Sequence, residues 1–261
     1  FQDKVIFHKL ALAIIDEQHR FGVHQRMALQ HKGAYPHQLV MTATPIPRTL
    51  TMTLYADMDV SVIDELPKGR QPITTHTAAQ PKRPELIERL RKILAQGQQA
   101  YWVCTLIEPN EEIAALSAEE AFDILRRELP EFRVALLHGR MKGDEKVEVM
   151  RAFKAGEYQL LVATTVVEVG VDVPNATQMF IENAERLGLA QLHQLRGRVG
   201  RGSKASRCFL LFKPGVSQAG QHRLNALRQS QDGFYLAEQD LKLRGPGDIL
   251  GTRQSGEQSF K

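Results

Sequence analysis

The feature that most limits the fold of this chain is a regular alternation of amphipathic segments with short, continuous apolar runs. Leu86, Leu90 and Leu94 recur at helical spacing and are followed by the apolar run at residues 100–106. Strands that alternate with helices are joined by right-handed crossovers into a parallel sheet with helices on both faces. The sequence therefore predicts an α/β fold.

The same patterns predict the individual elements. The predicted helices span 82–96, 117–129, 144–155 and 189–199, and the predicted strands span 38–44, 100–106, 133–138, 159–164, 178–182 and 207–212. Ser117 and Glu120 form the capping box that opens the second helix. Beyond Pro214 the alternation ends, and two helices are predicted at 218–229 and 234–243. Proline and glycine at 65–72 predict a linker between domains.

Composition narrows the class of protein only modestly. With 43% hydrophobic and 25% charged residues, the 261-residue chain is long enough for two cores. A net charge of +4 favours a polyanionic partner. The absence of a long apolar run and of a signal peptide predicts a cytoplasmic protein. Cys104 and Cys208 lie in apolar runs, which predicts reduced core residues and no zinc site.

Two adjacent carboxylates follow the apolar run at residues 10–15. A strand buried on both faces would deliver Asp16 and Glu17 to the carboxyl end of a sheet, where α/β proteins bind ligands. In nucleotide hydrolysis such a pair holds Mg²⁺ and activates water. The alternative is an ordinary acidic helix start, because carboxylates favour the positive end of a helix dipole.

Two further predicted strands end in polar residues. Thr42 and Thr44 precede an extended, proline-containing exit and could link a nucleotide site to its surroundings, although an ordinary loop is the alternative. After the strand at 159–164, Gly170 would let a ligand approach the backbone. Asp172 supplies an acceptor for a ribose hydroxyl or for an arginine.

Residues 192–202 place Gln194, Arg198 and Arg201 on a predicted short helix. A guanidinium group is always charged and presents a planar fork of donors, so it can neutralise the charge on a transferring phosphoryl group. Arg198 and Arg201 are therefore candidate arginine fingers. A basic, solvated helix turn is the alternative for an isolated Arg-x-x-Arg.

These segments resemble known helicase motifs. Residues 16–19, 42–44, 163–174 and 194–201 are similar to motifs II, III, V and VI of the superfamily 2 helicases, in the same order and spacing. Residues 232–256 resemble the translocation motif of RecG-type helicases, and a related version occurs in the transcription-repair coupling factor. The resemblance covers essentially the whole chain.

The resemblance implies RecA-like parallel sheets with flanking helices, the P-loop NTPase fold, followed by a helical hairpin. The implied domains are the C-terminal portion of a first motor domain (1–66), a second motor domain (67–213) and the translocation hairpin and loop (214–261). The implied activity is that of an ATP-dependent DNA helicase that migrates branches and reverses stalled replication forks in recombination and repair. ATP and Mg²⁺ are the implied cofactors. Forked or branched DNA and single-stranded DNA-binding protein are the implied partners of a monomer at the bacterial nucleoid.

The resemblance also implies roles for single residues. Asp16 would hold Mg²⁺ through water, Glu17 would act as catalytic base, and Gln194, Arg198 and Arg201 would reach the ATP. The residues implied to bind ATP or couple its site to the DNA are Gln18, His19, Thr42, Thr44, Gly170 and Asp172. Those implied to act in DNA translocation are Arg223, Arg244 and Gln254, with Arg223 hydrogen-bonded to Gln254.

One motif of such motors is missing from the sequence. It contains no Gly-x-x-x-x-Gly-Lys-Ser/Thr phosphate loop, which predicts that this stretch alone hydrolyses no ATP and belongs to a longer protein. Two other functions stay open. One is a duplex DNA translocase like the transcription-repair coupling factor, and the other is a nucleic-acid-binding module without turnover.

Overall fold

The computed structural model describes residues 5–16, 36–42, 59–63, 65, 67, 69–105, 111–164 and 172–244. The chain forms two compact units, Phe1–Ile46 and Pro47–Lys261. In the first unit, strands β1 (Leu12–Ile15) and β2 (His37–Val40) pair in parallel. Leu12 and Ile14 are exposed while Ala13 and Ile15 are buried, so the prediction of a strand buried on both faces is wrong for this chain. Alternate residues of a strand point to opposite faces, and only the face that carries Ala13 and Ile15 is covered.

The second unit is built on a six-stranded parallel sheet, as predicted. Its strand order is β3-β8-β7-β4-β6-β5. Each neighbouring pair runs parallel. The strands are β3 (Thr74–Ala79), β4 (Gln99–Cys104), β5 (Val134–Leu137), β6 (Leu160–Thr164), β7 (Ala176–Glu182) and β8 (Arg207–Phe212).

Helices cover both faces of this sheet. On one face α1 (Arg83–Ala95) and α2 (Glu111–Glu128) bury leucines, isoleucine and alanines against the strands. We call this the α1/α2 face. On the other lie α3 (Gly143–Lys154), α4 (Leu189–Arg196), α5 (Gln218–Gln229) and α6 (Gly233–Arg244). This is the α3–α6 face.

The two faces are separated by the alternation of side chains along each strand. In β4, Tyr101 and Val103 belong to the core of the α3–α6 face, whereas Trp102 belongs to the core of the α1/α2 face. Trp102 stacks on Phe180 with ring centroids 4.9 Å apart, and Phe180 stacks on Phe209 at 4.8 Å. The core of the α1/α2 face is therefore a continuous aromatic and aliphatic layer.

The sequence patterns did not predict β3. Its residues, Thr-Thr-His-Thr-Ala-Ala, are mostly polar, yet they pair in register with β8. An edge strand donates and accepts hydrogen bonds on one side only and remains partly exposed, so it needs no apolar run. Its threonines still suit a pleated surface because they are β-branched.

Two predicted helix ends are wrong. Helix α2 begins at Glu111, so Ser117 lies inside the helix and does not cap it. The buried stripe of Ala115, Ala118 and Ala121 runs past Ser117, and burial of that stripe favours continued helix. Helix α4 ends at Arg196 instead of Val199, so Arg198 and Arg201 follow the helix. The chain then reaches Gly200 in the left-handed region, at a φ of 74°, which no helix can continue.

The two helices predicted after Pro214 are confirmed. The Ser217 hydroxyl accepts a hydrogen bond from the Gly220 amide at 3.2 Å and so caps α5. Helices α5 and α6 contact each other, and both contact α4. The domain limits at residues 66 and 213 stay predictions. Among the described residues, no helix is both long and apolar enough to cross a bilayer.

Candidate functional site

A pocket in the second unit collects residues that precede three neighbouring strands. Arg70 comes shortly before β3, Asp172 before β7 and Arg201 before β8, so the pocket lies at the amino ends of these strands. Its volume is about 550 Å³. Its lining comprises Pro67, Gly69, Arg70, Asp172, Arg201, Gly202 and Ser203. Two guanidinium groups against one carboxylate make it attractive to an anion.

Two glycines shape the backbone beside this pocket. A Cβ at Gly200 would lie 2.8 Å from Cγ1 of Ile73, and a Cβ at Gly202 would lie 2.7 Å from the carbonyl oxygen of Pro174. Neither position has room for a side chain. The α4–β8 loop (residues 197–206) therefore packs tightly on both neighbours and holds Arg201 at the pocket.

Arg201 is oriented but not locked. Its Nη1 lies 3.8 Å from Oδ1 of Asp172, and its Nε donates to the Gly197 carbonyl at 3.4 Å. The Asp172 side chain is 53% exposed, and exposed ion pairs of this kind contribute little to stability. Of the two partners predicted for Asp172, a ribose hydroxyl or an arginine, the structure supplies the arginine. The pair can open when a stronger anion enters.

Arg70 is a lining residue that sequence reasoning missed. Its Nε donates to the Gly200 carbonyl at 2.9 Å, which fixes the guanidinium beside the loop that carries Arg201. The proline- and glycine-rich linker has no periodic pattern that would single out one residue. The one hint in the sequence is that Arg70 directly follows Pro67-Lys68-Gly69.

Arg198 and Arg201 also lie within electrostatic reach of one buried phenol. Burial raises the pKa of Tyr101 to about 12, Arg198 and Arg201 offset part of that rise in pKa, and Asp172 adds to it. Three predicted site residues thus influence the pKa of the same phenol. Gln194 lies half-buried on α4.

Arg196, the residue after Leu195, was not predicted to have a role. Its residue exposure is 2%, and its Nη1 donates to the carbonyls of Leu227 at 2.7 Å and Ser230 at 2.8 Å and to the Thr75 hydroxyl at 3.4 Å. Burial lowers the pKa of Arg196, but a guanidinium keeps its charge in proteins. The carbonyls at the end of α5 would otherwise lack partners, and they carry the negative end of the helix dipole.

His193 completes the surroundings of Arg196. Nη2 of Arg196 donates to Nδ1 of His193 at 3.1 Å, so that nitrogen must carry a lone pair. Burial lowers the pKa of His193 to about 4, and the charge of Arg196 adds to this lowering. The imidazole is therefore neutral at pH 7 and serves as an acceptor.

Arg223 lies on α5, the first hairpin helix, as predicted. Its Nη2 donates to the Glu185 carbonyl at 2.7 Å, in the short 3₁₀ turn Ala184–Arg186. Within the described part of the chain its buried Nε has no hydrogen-bond partner. Arg244 is the last residue of α6. The predicted bond between Arg223 and Gln254 lies outside the described residues.

The remaining predicted residues are in the first unit or outside the described part. Asp16 directly follows β1 and is exposed, and Thr42 follows β2. The predicted residues outside the described part are Glu17, Gln18, His19, Thr44, Gly170 and Gln254. In the described ranges no three His, Cys, Asp or Glu side chains cluster tightly enough to hold a metal ion. A single carboxylate fits Mg²⁺ held mainly by water and nucleotide phosphate, and this role of Asp16 stays a prediction.

Two protein-family models match the chain. The helicase conserved C-terminal domain matches residues 85–203, which include α1, the sheet core and the α4–β8 loop up to Ser203. The model for domain 3, C-terminal, of the ATP-dependent DNA helicase RecG matches residues 230–260, which include α6.

Known proteins resemble the chain along its full length. It is 61% identical to the ATP-dependent DNA helicase RecG of Escherichia coli (strain K12), over 100% of the chain and 38% of that relative. A solved structure of RecG bound to a three-way DNA junction is 45% identical with a TM-score of 0.76, over 95% of the chain and 32% of the other. The structure of the Mycobacterium smegmatis helicase Lhr bound to ssDNA and AMP-PNP is 17% identical, with a TM-score of 0.60. The match covers 85% of this chain and 31% of the Lhr chain, and it shows a shared fold alone. The chain thus spans little more than a third of the RecG relative.

Proposed function

This chain belongs to the RecG-type helicase family, and from that premise we propose that the whole protein is an ATP-dependent DNA helicase. The observation that carries the proposal is the pocket with Arg70 and Arg201, because two guanidinium forks at one glycine-shaped loop suit a polyphosphate. Residues 197–203 of this loop lie within the region that matches the helicase domain model.

The proposed roles are assigned to the residues of each unit by itself. In the second unit, Arg201 would turn from Asp172 to the transferring phosphoryl group, and Arg70 would hold a neighbouring phosphate. Gln194 and Arg198 would complete the contacts to nucleotide. In the first unit, Asp16 would hold Mg²⁺ through water and Glu17 would act as the base, roles taken from the family resemblance. The metal would supply charge neutralisation of the phosphates.

Branched DNA is the proposed substrate. A RecG relative has been solved on a three-way DNA junction, and the net charge of +4 is compatible with a polyanionic partner. We propose that the helicase migrates branches and reverses stalled forks in DNA repair and recombination, in the bacterial cytoplasm at the nucleoid. In this proposal α5 and α6, with Arg223, Arg244 and Gln254, form the element that moves the duplex. Single-stranded DNA-binding protein is the further proposed partner of a monomeric enzyme.

The full-length protein allows a direct test of this proposal. ATP hydrolysis should rise strongly when forked or three-way DNA is added, and the fork should be unwound or reversed only with ATP and Mg²⁺. The 261-residue chain alone should hydrolyse no ATP above the level of a Glu17→Gln variant, because it has no phosphate loop. Absence of DNA-stimulated hydrolysis in the full-length protein would exclude the motor and leave the nucleic-acid-binding module.

The transcription-repair coupling factor is the second candidate within the same class. The observation that favours it is residues 232–256, because a related version of this translocation motif occurs in the coupling factor. The two motors differ in substrate, so a stalled RNA polymerase on duplex DNA separates them from a fork. Displacement of polymerase without fork reversal would favour the coupling-factor function.

A further inference from the structure

Arg196 links helix α4, which precedes the α4–β8 loop, to the turn of the helical hairpin. It is the last residue of α4, and its guanidinium reaches two carbonyls, those of Leu227 and Ser230, where α5 ends. The residue is 2% exposed. A charge buried to this degree is stable only while its hydrogen bonds persist, so displacement of either partner carries a large free-energy cost. The end of α4 and the end of α5 must therefore move together.

A second attachment joins the same two regions by another route. We call residues 70–73 the strap. Two contacts attach the strap to Gly200: Arg70 donates to the Gly200 carbonyl, and the Ile73 side chain fills the space beside Gly200. The backbone amide of Ile73 donates to the Gln231 side-chain oxygen at 3.0 Å, in the turn between α5 and α6. The strap thus spans from the α4–β8 loop to the hairpin turn.

The two attachments enclose the residues proposed to sense nucleotide. Gln194 precedes Arg196 on α4. Arg198 lies between Arg196 and the strap contact at Gly200, and Arg201 directly follows that contact. A shift of the α4–β8 loop would pass to the hairpin turn through the Arg196 guanidinium and through the strap. Arg201 and Arg196 differ in their partners: Arg201 pairs with an exposed carboxylate, whereas Arg196 bonds to the buried carbonyl of Leu227 and the partly buried carbonyl of Ser230.

We propose that Arg196, supported by the strap through Gln231, is a positioning residue that transmits movement of the α4–β8 loop to the hairpin turn. This inference rests on the proposed helicase function and assigns Arg196 no contact with nucleotide or DNA. Its loss would leave the chemistry of ATP hydrolysis possible but would let the hairpin lag behind the loop.

The test uses the full-length protein and compares fork unwinding with DNA-stimulated ATP hydrolysis. Arg196→Lys keeps the positive charge but cannot reach two carbonyls and a hydroxyl with one planar fork. We expect it to reduce unwinding per ATP hydrolysed by about tenfold, and Gln231→Ala to reduce it by a smaller factor in the same direction. Gln229→Ala, at an exposed site on α5, is the matched surface control and should leave the ratio unchanged.

A structural role alone predicts a different pattern. Leu125→Ala, which opens a cavity on the opposite face of the sheet, should lower thermal stability without changing the unwinding-to-hydrolysis ratio. If Arg196→Lys and Leu125→Ala both reduce hydrolysis and unwinding in proportion, Arg196 is only a stability element and the proposal is overturned.

A readout independent of activity separates this inference from the proposed function. Hydrogen exchange at residues 227–231 should accelerate by about tenfold in Arg196→Lys, since the buried carbonyl contacts weaken. Unchanged exchange at 227–231 would overturn the attachment itself. A wild-type protein with neither hydrolysis nor unwinding would instead overturn the helicase function, while the exchange result would still decide whether the attachment exists.

Discussion

The two faces of the six-stranded sheet share the same strands but bury different kinds of side chain. The α1/α2 face has an apolar core in which Trp102, Phe180 and Phe209 stack, and its partly buried ion pair, Arg83 with Glu182, lies beside Trp102. The α3–α6 face has an apolar core of similar residue types, but it also buries the charge of Arg196 and the neutral imidazole of His193. Buried polar groups cost free energy unless they are fully bonded, so they are expected where a specific arrangement matters more than stability.

This contrast between the faces predicts which substitutions should affect function. Changes on the α1/α2 face should lower stability alone. Changes on the α3–α6 face should also disturb the relation between the pocket and the hairpin, because α4 contacts both α5 and α6.

The largest expected effect is at the pocket. In the full-length protein, Arg201→Ala should reduce kcat for DNA-stimulated ATP hydrolysis by roughly 10³-fold, since a lost arginine finger leaves the transferring phosphoryl charge unneutralised. Fork binding, measured by fluorescence anisotropy, should stay nearly normal. Arg127→Ala, at an exposed position on the α1/α2 face, is the matched control. A near-normal kcat in Arg201→Ala would show that Arg201 is only a solvated surface residue.

The second prediction compares two buried leucines, one from each face. Leu125 on α2 and Leu192 on α4 are both 0% exposed, and truncation of either to alanine should cost about 3 kcal/mol of unfolding free energy. Only Leu192→Ala should also lower fork unwinding per ATP, because α4 is the helix that carries Gln194 and Arg196. If the two variants were equally destabilised and had equal unwinding per ATP hydrolysed, the two faces would not differ in function.

The third prediction concerns acid. The unfolded chain protonates His193 near pH 6.5, whereas burial keeps its folded pKa at about 4, so the unfolded state binds more protons between these values. Stability should therefore fall by about 2 kcal/mol from pH 7 to pH 5 through this residue, as measured by urea unfolding. His193→Gln should remove that slope. The pKa of His76, on the α1/α2 face, is also lowered by burial, but it is less buried, and His76→Gln should change the slope little. A larger change in the pH dependence of stability for His76→Gln than for His193→Gln would contradict the prediction.

The smallest expected effect is at the hairpin. Arg223→Ala should leave DNA-stimulated ATP hydrolysis within a few-fold of normal and reduce fork unwinding by about tenfold, because the bond to the Glu185 carbonyl is lost. Arg228→Ala, exposed on the same helix, provides the comparison. Rescue of unwinding by lower salt would identify Arg223 as a phosphate contact.

Much of the fold could be predicted because it follows from periodic burial. Strand β8 and helix α5 have the predicted limits, since apolar runs and stripes are bounded there by charged residues and by the Ser217 cap. Strand β3 could not be predicted, because its place at the sheet edge depends on β8, which is more than a hundred residues away. The true start of α2 required knowledge of the partner face that buries Ala115 and Ala118.

Periodic burial does not point to the candidate site, and only part of that site was predicted. Asp172 and Arg201 could be selected by chemistry, and the structure brings them within 3.8 Å of each other. Arg196 was overlooked although its spacing from Leu189 and Leu192 places it on the apolar stripe of α4, a position at which a charge must find buried partners. Arg70 had no such signal, because its partner is a backbone carbonyl of a distant loop.

Hydrogen exchange of the full-length protein, with and without a non-hydrolysable ATP analogue and Mg²⁺, tests most directly whether the pocket and the hairpin respond as one. The account predicts that nucleotide changes the protection of residues 194–202 and of residues 223–233 together, while helices α1 and α2 stay unchanged. A change confined to residues 194–202, or an equal change on both faces of the sheet, would contradict it.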